Sequence, residues 1–272
     1  MILKKSINFY QIEINASPLQ LQYYYYFMAS LAEIGFTEYF KIRTNEIDIN
    51  KKIKIPALVQ IMQEASMSNA IKLKVSVWDL EEKSLSWVLV KKEIIIKRLP
   101  ILGESIEVTT YPSGMDRLFA YRDFIVKDAS GQVIVTASSV WILMNTITRK
   151  IVAPEVKIPL PTNIEVLPRP TNKITRVVNP EIKTNFNVNW YDLDWNKHVN
   201  NVFIIKCILE GLPDERIQSG IIKKLNIQFK AESFWKDKLT SNYQTKNSCT
   251  SNHSITRDHD EKLVAQAEIE WK

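Results

Sequence analysis

Runs rich in Val, Ile and aromatic residues recur four times in the first half of the chain, at Trp87–Leu99, Glu104–Tyr111, Arg117–Lys127 and Gln132–Met144. They are broken at Gly103, Pro112–Gly114 and Gly131, which predicts four consecutive strands. The second half repeats the pattern at Ile221–Ala231, Lys238–Tyr243, Ser251–Arg257 and Lys262–Trp271. One apolar helix candidate precedes each series. From Val199 to Leu212 almost no polar stripe is left, so that helix is expected to be buried nearly all round. Gly211 is expected to adopt a left-handed cap and Pro213 to prevent continuation, which ends the helix near Glu210. In the first half Pro56 suits a first turn, and Ala57–Ala65 carries a helical pattern.

The two halves read as one unit written twice. Ile47-Asp48-Ile49-Asn50 falls on Leu193-Asp194-Trp195-Asn196 at an offset of 146 residues, and Glu64 falls on Glu210 in the same register. Further along, Ile94 and Ile96 fall on Ile227 and Phe229 at an offset of 133. Between the copies, six of the eleven prolines lie from Pro154 to Pro180, which excludes a long helix or a central strand there. The organisation expected is an extension over 1–35, an N-terminal unit over 36–152, a linker over 153–180 and a C-terminal unit over 181–272. Residues 1–27, with four consecutive tyrosines, match nothing that follows and read as a disordered or extraneous segment.

Composition narrows the function classes. With 45% apolar and 24% charged residues the chain is an ordinary globular protein. No apolar run reaches membrane-spanning length and no secretory signal is present, so neither membrane nor export is expected. Cys207 and Cys249 provide no disulfide framework and no metal-ligand spacing, which points to the cytoplasm and to no metal or cofactor. The net charge of +6 favours an acidic partner, but without a clustered basic tract it does not indicate nucleic acid.

The chemistry concentrates in Asp192–Asn201, which sets a carboxylate (Asp194), an amide (Asn196), an imidazole (His198) and two further amides (Asn200, Asn201) directly before the apolar helix. The first N–H groups of a helix are unpaired and lie at its positive end, so such a cluster suits a polarised carbonyl oxygen. Asp194 and Asn196 equally have the residue types of helix caps. The repeat discriminates between the copies, because the counterpart of His198 is Lys52 and that of Glu232 is Leu99.

This run, the helix end Leu209-Glu210-Gly211-Leu212-Pro213, the stretch Leu225–Glu232 and the terminal Glu268-Ile269-Glu270-Trp271-Lys272 together resemble the acyl-[acyl carrier protein] thioesterases of plants and bacteria. Phe40-Lys41-Ile42-Arg43, Gln63-Glu64-Ala65, Trp87-Val88-Leu89 and Ser139-Val140-Trp141 resemble the same family's amino-terminal unit, so the likeness runs from about residue 36 to the end. The resemblance implies an α+β tandem (double) hot-dog fold, two antiparallel sheets each wrapped around a central helix. It also implies hydrolysis of acyl carrier protein thioesters to free fatty acid, by a monomer or a homodimer. An acyl-CoA thioesterase of the same fold and a non-catalytic acyl-binding module are the alternatives.

Carried over from the family motif, the site residues are Asp194, Asn196, His198 and Glu232. Glu232, read as a strand carboxylate among Phe229, Phe234 and Trp235, is expected to have a raised pKa and to act as general base. His198 and Asn196 hold the water and the thioester oxygen, Asp194 orients both, and backbone N–H groups over Val199–Asn201 add oxyanion donors. Many plant members carry a cysteine after this glutamate. Here the residue is Ser233, which excludes a thiolate there and favours attack by activated water, or transiently by the Glu232 carboxylate itself. Cys207 and His253 read as structural, His259 as solvated, and Trp78, Trp87, Trp141 and Trp190 as core or pocket lining.

Overall fold

The computed structural model describes residues 34–154, 166–170 and 174–272. The expected extension lies outside them, apart from Ile34 and Gly35. The first unit runs β1 (Phe36–Lys41), a 3-10 turn (Thr44–Glu46), α1 (Ile55–Lys72), α2 (Val77–Glu81), β2 (Leu85–Ile96), β3 (Ser105–Asp116), β4 (Phe119–Asp128), β5 (Val133–Asn145) and the short β6 (Ile151–Val152). The second repeats the order with β7 (Ile182–Asn187), a 3-10 turn (Trp190–Asp192), α3 (Asn201–Glu210), α4 (Asp214–Ser219), β8 (Ile222–Phe229), β9 (Lys238–Asn247), β10 (Thr250–Arg257) and β11 (Lys262–Trp271).

The two antiparallel sheets join edge to edge. Strand order is β1-β3-β4-β5-β2-β8-β11-β10-β9-β7, with β6 on β5. The seam is the antiparallel pairing of β2 with β8, in which Glu93 faces Asn226, its own counterpart at the 133-residue offset. A pseudo-twofold axis therefore passes through that pair. The outermost strands, β1 and β7, match at the 146-residue offset but were not among the expected strands. Each alternates half-buried and exposed residues over six positions, a weak signal typical of an edge.

Both helices lie against the core-facing side and pack on each other. Pro56 sits in the first turn of α1, where its missing N–H costs nothing. Leu58, Val59 and Met62 of α1 and Ile205, Cys207 and Ile208 of α3 are completely buried. Each such side chain contributes roughly 1.5–3 kcal/mol of burial free energy. The helix α1 runs on to Lys72, well past Ala65, through Ser66, Ser68 and Asn69. That polar stretch is anchored from inside, since Asn69 Nδ2 donates to Ile34 O (2.9 Å) and its Oδ1 accepts from Arg122 Nη1 (2.7 Å).

Gly211 corrects an expectation. Its φ is −87°, so no left-handed cap forms. The residue is small for packing reasons, because a Cβ there would collide with the Ser241 side chain of β9.

Lys92 on β2 is 1% exposed, with its ammonium 4.4 Å from the centre of the Phe124 ring. Among the described residues it pairs with no carboxylate. Burial, and then the neighbouring Arg122 charge, lower its pKa to about 7 from the usual 10.5. The unfolded chain thus binds more protons than the folded one between those values, and stability rises with pH across that window. Above about 9 the trend is opposed by Cys207, whose thiol burial pushes up to about 12. Lys92→Met is expected to raise Tm at pH 7 by several degrees, at about 2–4 °C per kcal/mol. It should also flatten the rise in stability between about pH 7 and 9, as measured by thermal unfolding.

Candidate active site

The loop from Trp190 to α3 is built around one carboxylate. Asp194 Oδ1 accepts the backbone N–H groups of Asn196 (2.8 Å) and His198 (3.1 Å), while Asp194 N donates to His198 O (2.8 Å). The turn needs a left-handed residue, and Lys197 supplies it at φ 63°. The first unit repeats this geometry. There Asp48 Oδ1 accepts from Asn50 N (2.8 Å) and Lys52 N (3.0 Å), and Lys51 has φ 60°. Asp194 thus fixes the backbone at Asn196 and His198. Helix capping falls to Asn200, whose Oδ1 accepts from Val202 N at 2.9 Å.

His198 is brought against Glu232, with Nδ1 3.4 Å from Oε1, and its ring meets Phe234 edge to face at 5.3 Å. The mainchain fixes this approach, since Val199 N donates to Ser233 O at 2.8 Å. Arg257, held by Asp260, donates from Nη1 to Glu232 O at 2.9 Å and clamps the loop from β10. Glu232 lies in the loop between β8 and β9, after β8 has ended at Phe229, and is not a strand residue as expected.

The other Glu232 oxygen, Oε2, accepts from Arg149 of the first unit. Arg149 sits in the turn after β5, ordered by Asn145 Oδ1, which accepts from Ile147 N (3.1 Å) and Thr148 N (2.8 Å). This contact reverses the expected pKa shift. Burial pushes the Glu232 carboxyl up, but the Arg149 hydrogen bond and the charges of His198, Arg149 and Lys262 together hold it below the usual carboxylate range. The aromatic residues expected to desolvate it, Phe234 and Trp235, are 44% and 49% exposed. Burial raises the Asp194 pKa, opposed by the hydrogen bonds it accepts from His198 and Asn196. Arg149 was missed because nothing in its own neighbourhood distinguishes it from a surface arginine.

The oxyanion donors also need correcting. Val199 N is spent on Ser233 O and Asn200 N on Asp192 O (2.8 Å). Of the expected three, only Asn201 N–H makes no hydrogen bond among the described residues. Ser233 is 1% exposed and its Oγ has no partner among the described residues, so no base activates it. His253 is fully buried, bonded to Ser251 Oγ at 2.9 Å, and burial lowers its pKa to about 3, in keeping with a structural role. Trp87 and Trp141 line the cavity described next, but Trp78 and Trp190 are 62% and 58% exposed.

Asp194, Asn196, His198 and Glu232 all border one cavity of about 790 Å³, which extends into the first unit past Gln63, Met67, Leu80, Trp87 and Trp141. That volume suits a small-molecule or acyl ligand. Its wall also includes Arg122, whose pKa burial lowers to about 10.

Two family models match, the acyl-ACP thioesterase N-terminal domain over residues 33–158 and the acyl-ACP thioesterase C-terminal domain over 176–272. The chain belongs to the acyl-ACP thioesterase family. An acyl-[acyl-carrier-protein] hydrolase of Cuphea viscosissima is 29% identical over 73% of this chain and 52% of its own length. A dodecanoyl-[acyl-carrier-protein] hydrolase of Cinnamomum camphora is 26% identical over 87% of this chain and 67% of its own. Both are named chloroplastic, and the chain spans about half the length of the first of them. The fold is shared with solved structures. An acyl-ACP thioesterase from Bacteroides thetaiotaomicron superposes with a TM-score of 0.78 at 24% identity, covering 89% of this chain and 99% of that one. For a 12:0-ACP thioesterase from Umbellularia californica the values are 0.79, 23%, 88% and 97%. The fold is therefore the family's double hot-dog. Among the described residues no helix is long and apolar enough to cross a membrane.

If Glu232 must be ionised to act, removing its cationic partner has a definite sign. Arg149→Gln is expected to raise the Glu232 pKa, so the acid limb of the pH profile of kcat/KM should move to higher pH. An unmoved limb would show that Arg149 does not tune the reacting group.

Proposed function

We propose that the chain hydrolyses the thioester of an acyl group borne on acyl carrier protein, releasing free fatty acid and the carrier thiol. The observation that carries this is the His198–Glu232 contact at the opening of a cavity shared by both units. Asp194, Asn196, His198 and Glu232 are the residues we assign to the reaction, with Arg149 tuning Glu232.

The chemistry follows from the charge state of the pair. Held ionised by Arg149 and His198, Glu232 is in the form that accepts a proton. A water beside it attacks the thioester carbonyl as its proton passes to the Glu232–His198 pair. The Asn196 amide and Asn201 N–H, at the positive end of α3, stabilise the oxyanion. Collapse of the tetrahedral intermediate breaks the C–S bond, and the pair returns the proton to the departing thiolate. General-base assistance is worth roughly 10²–10⁴ in rate, and one oxyanion donor about 10²–10³.

In this reading residues 36–152 form the unit that shapes the acyl pocket and 181–272 the catalytic unit. Both contribute to the site, so a single chain suffices. The two unpaired cysteines, one of them exposed, suit a cytoplasmic setting.

Fatty acid release from a panel of acyl carrier protein and acyl-CoA thioesters tests the proposal. Glu232→Gln should lower kcat by about 10²–10⁴, and His198→Ala should also be impaired. Ser233→Ala should keep most of its rate. Cleavage of neither thioester class by wild type would end the enzyme reading, and a collapse in Ser233→Ala would end the water mechanism.

A further inference from the structure

In the first unit the cavity reaches charge that the hydrolysis proposed above does not use. Arg122 of β4, Ser139 of β5 and Lys92 of β2 pair across neighbouring strands, so their side chains stand in one row on one face of the sheet. Arg122 bonds Asn69 of α1, which makes this the helix-facing side. Arg122 forms part of the cavity wall, and Lys92 is 1% exposed. The Lys92 ammonium lies 4.4 Å from the centre of the Phe124 ring, two residues from Arg122 on the same strand, and within range of the Arg122 charge.

Neither cation is neutralised from within the chain. Among the described residues Lys92 Nζ forms no hydrogen bond and no ion pair. Arg122 donates from Nη1 to Asn69 Oδ1 (2.7 Å) and Thr110 Oγ1 (3.2 Å), while its Nε and Nη2 donate to nothing among the described residues. The adjacent carboxylates alternate to the opposite face of the sheet. There Asp123 accepts from Leu167 N (3.0 Å) and Glu93 pairs with Lys224 (3.0 Å). In the cavity wall Glu232 is paired with Arg149, Asp194 holds its turn, and the exposed Glu64 forms no ion pair with either cation.

The internal repeat shows that the fold does not need these charges. The 133-residue offset carries Lys92 to Leu225, which pairs with Ile269, and Ile269 pairs with Ser251. That row is buried and uncharged. Even the indole beside it is kept, since Trp141 Nε1 donates to Ser139 Oγ (2.9 Å) and Trp271 Nε1 to Ser251 Oγ (3.0 Å).

The shape of the cavity identifies the ligand. The free Nε and Nη2 form the side of the guanidinium fork that takes both oxygens of one carboxylate. Strand β5 separates this end from the reacting end. It runs from Ser139, beside Arg122, through Trp141 to Asn145, roughly 20 Å at about 3.3 Å per residue, before the turn that sets Arg149 on Glu232. The wall carries the apolar side chains Met67, Leu80, Trp87, Leu89 and Trp141. An occupant that satisfies both ends is an aliphatic chain with a thioester at one end and an anion at the other. Both cations are already desolvated in the folded protein, so the carboxylate's own loss of water is the main cost of pairing.

We propose that the inner end of this cavity is a carboxylate subsite, so that the protein takes acyl groups bearing a second carboxylate at the end remote from the thioester. The proposal rests on the thioesterase reading above and names its substrate class. Arg122 receives the carboxylate directly, and Lys92 adds charge from behind.

Steady-state kinetics at pH 7 on acyl carrier protein thioesters of ω-carboxyacyl and unsubstituted chains, matched in length over a series, provide the test. For wild type, kcat/KM on the best ω-carboxyacyl substrate should exceed that on its unsubstituted match by about tenfold or more, the worth of one charge-assisted hydrogen bond. Arg122→Gln should abolish this preference. Lys92→Met, expected to fold more stably than wild type, should lower it by about threefold and carries the test should Arg122→Gln not fold. A wild type that prefers the unsubstituted chain, or a preference left intact in Lys92→Met, overturns the subsite and leaves the thioesterase reading standing. Titration calorimetry with free α,ω-diacids and monoacids of the same lengths separates the two readings. Wild type that binds the diacid more tightly than the monoacid, with the difference lost in the variants, supports the subsite even if no thioester is cleaved, in which case only the thioesterase reading fails. Diacid binding no tighter than that of the matching monoacid would sink the proposal.

Discussion

The antiparallel pairing of β2 with β8 is the interaction on which the rest of this structure depends. Each unit alone would present an unpaired strand at this point, with a row of unsatisfied backbone groups. Joined, the two become one eleven-stranded sheet, and α1 and α3 are brought together over it. The seam is also tied by charge, since Lys224 Nζ reaches the buried Glu93 at 3.0 Å. The placement of the site follows. Because β5 neighbours β2 and β8 neighbours β2 on the other side, the turn after β5 can set Arg149 against Glu232 in the loop after β8. The cavity draws walls from both units for the same reason.

Much of this was legible from periodicity and repetition. The eight long strands, the end of α3 near Glu210 and the offset linking Asp48 to Asp194 are local or internally repeated signals, and the structure carries the repeat down to hydrogen bonds. What escaped was non-local or weak. The strands β1 and β7 are short, half-polar edges, and α1 continues through Ser66, Ser68 and Asn69 because Arg122 and Ile34 satisfy Asn69 from elsewhere in the fold. Local sequence assigns Gly211 to a helix cap, whereas the reason for its small size is a neighbouring strand that no local pattern announces.

The candidate site divides in the same way. That His198, Asn196 and Asp194 share a turn follows from their spacing. The electrostatics of Glu232 do not, because they are set by an arginine 83 residues away in sequence. A carboxylate in an apolar setting and one paired with a guanidinium have pKa shifts of opposite sign. A non-local neighbour therefore contributes to the sign of the Glu232 pKa shift, which no local pattern carries.

The duplicated turns show how two copies can keep one shape while presenting different side chains. Asp48 and Asp194 satisfy the same two backbone donors, so each is required for its loop to fold whatever that loop does. Lys52 and Leu99 stand where His198 and Glu232 stand in the second unit, and the backbone bond beside them is kept, Ile53 N to Pro100 O matching Val199 N to Ser233 O. Substitution there costs the first unit little stability. The second unit differs beside His198 and Glu232, where the aromatic side chains Trp195, Phe234 and Trp235 stay exposed and Glu232 is paired with Arg149. The two halves thus share a scaffold and differ in the side chains it presents.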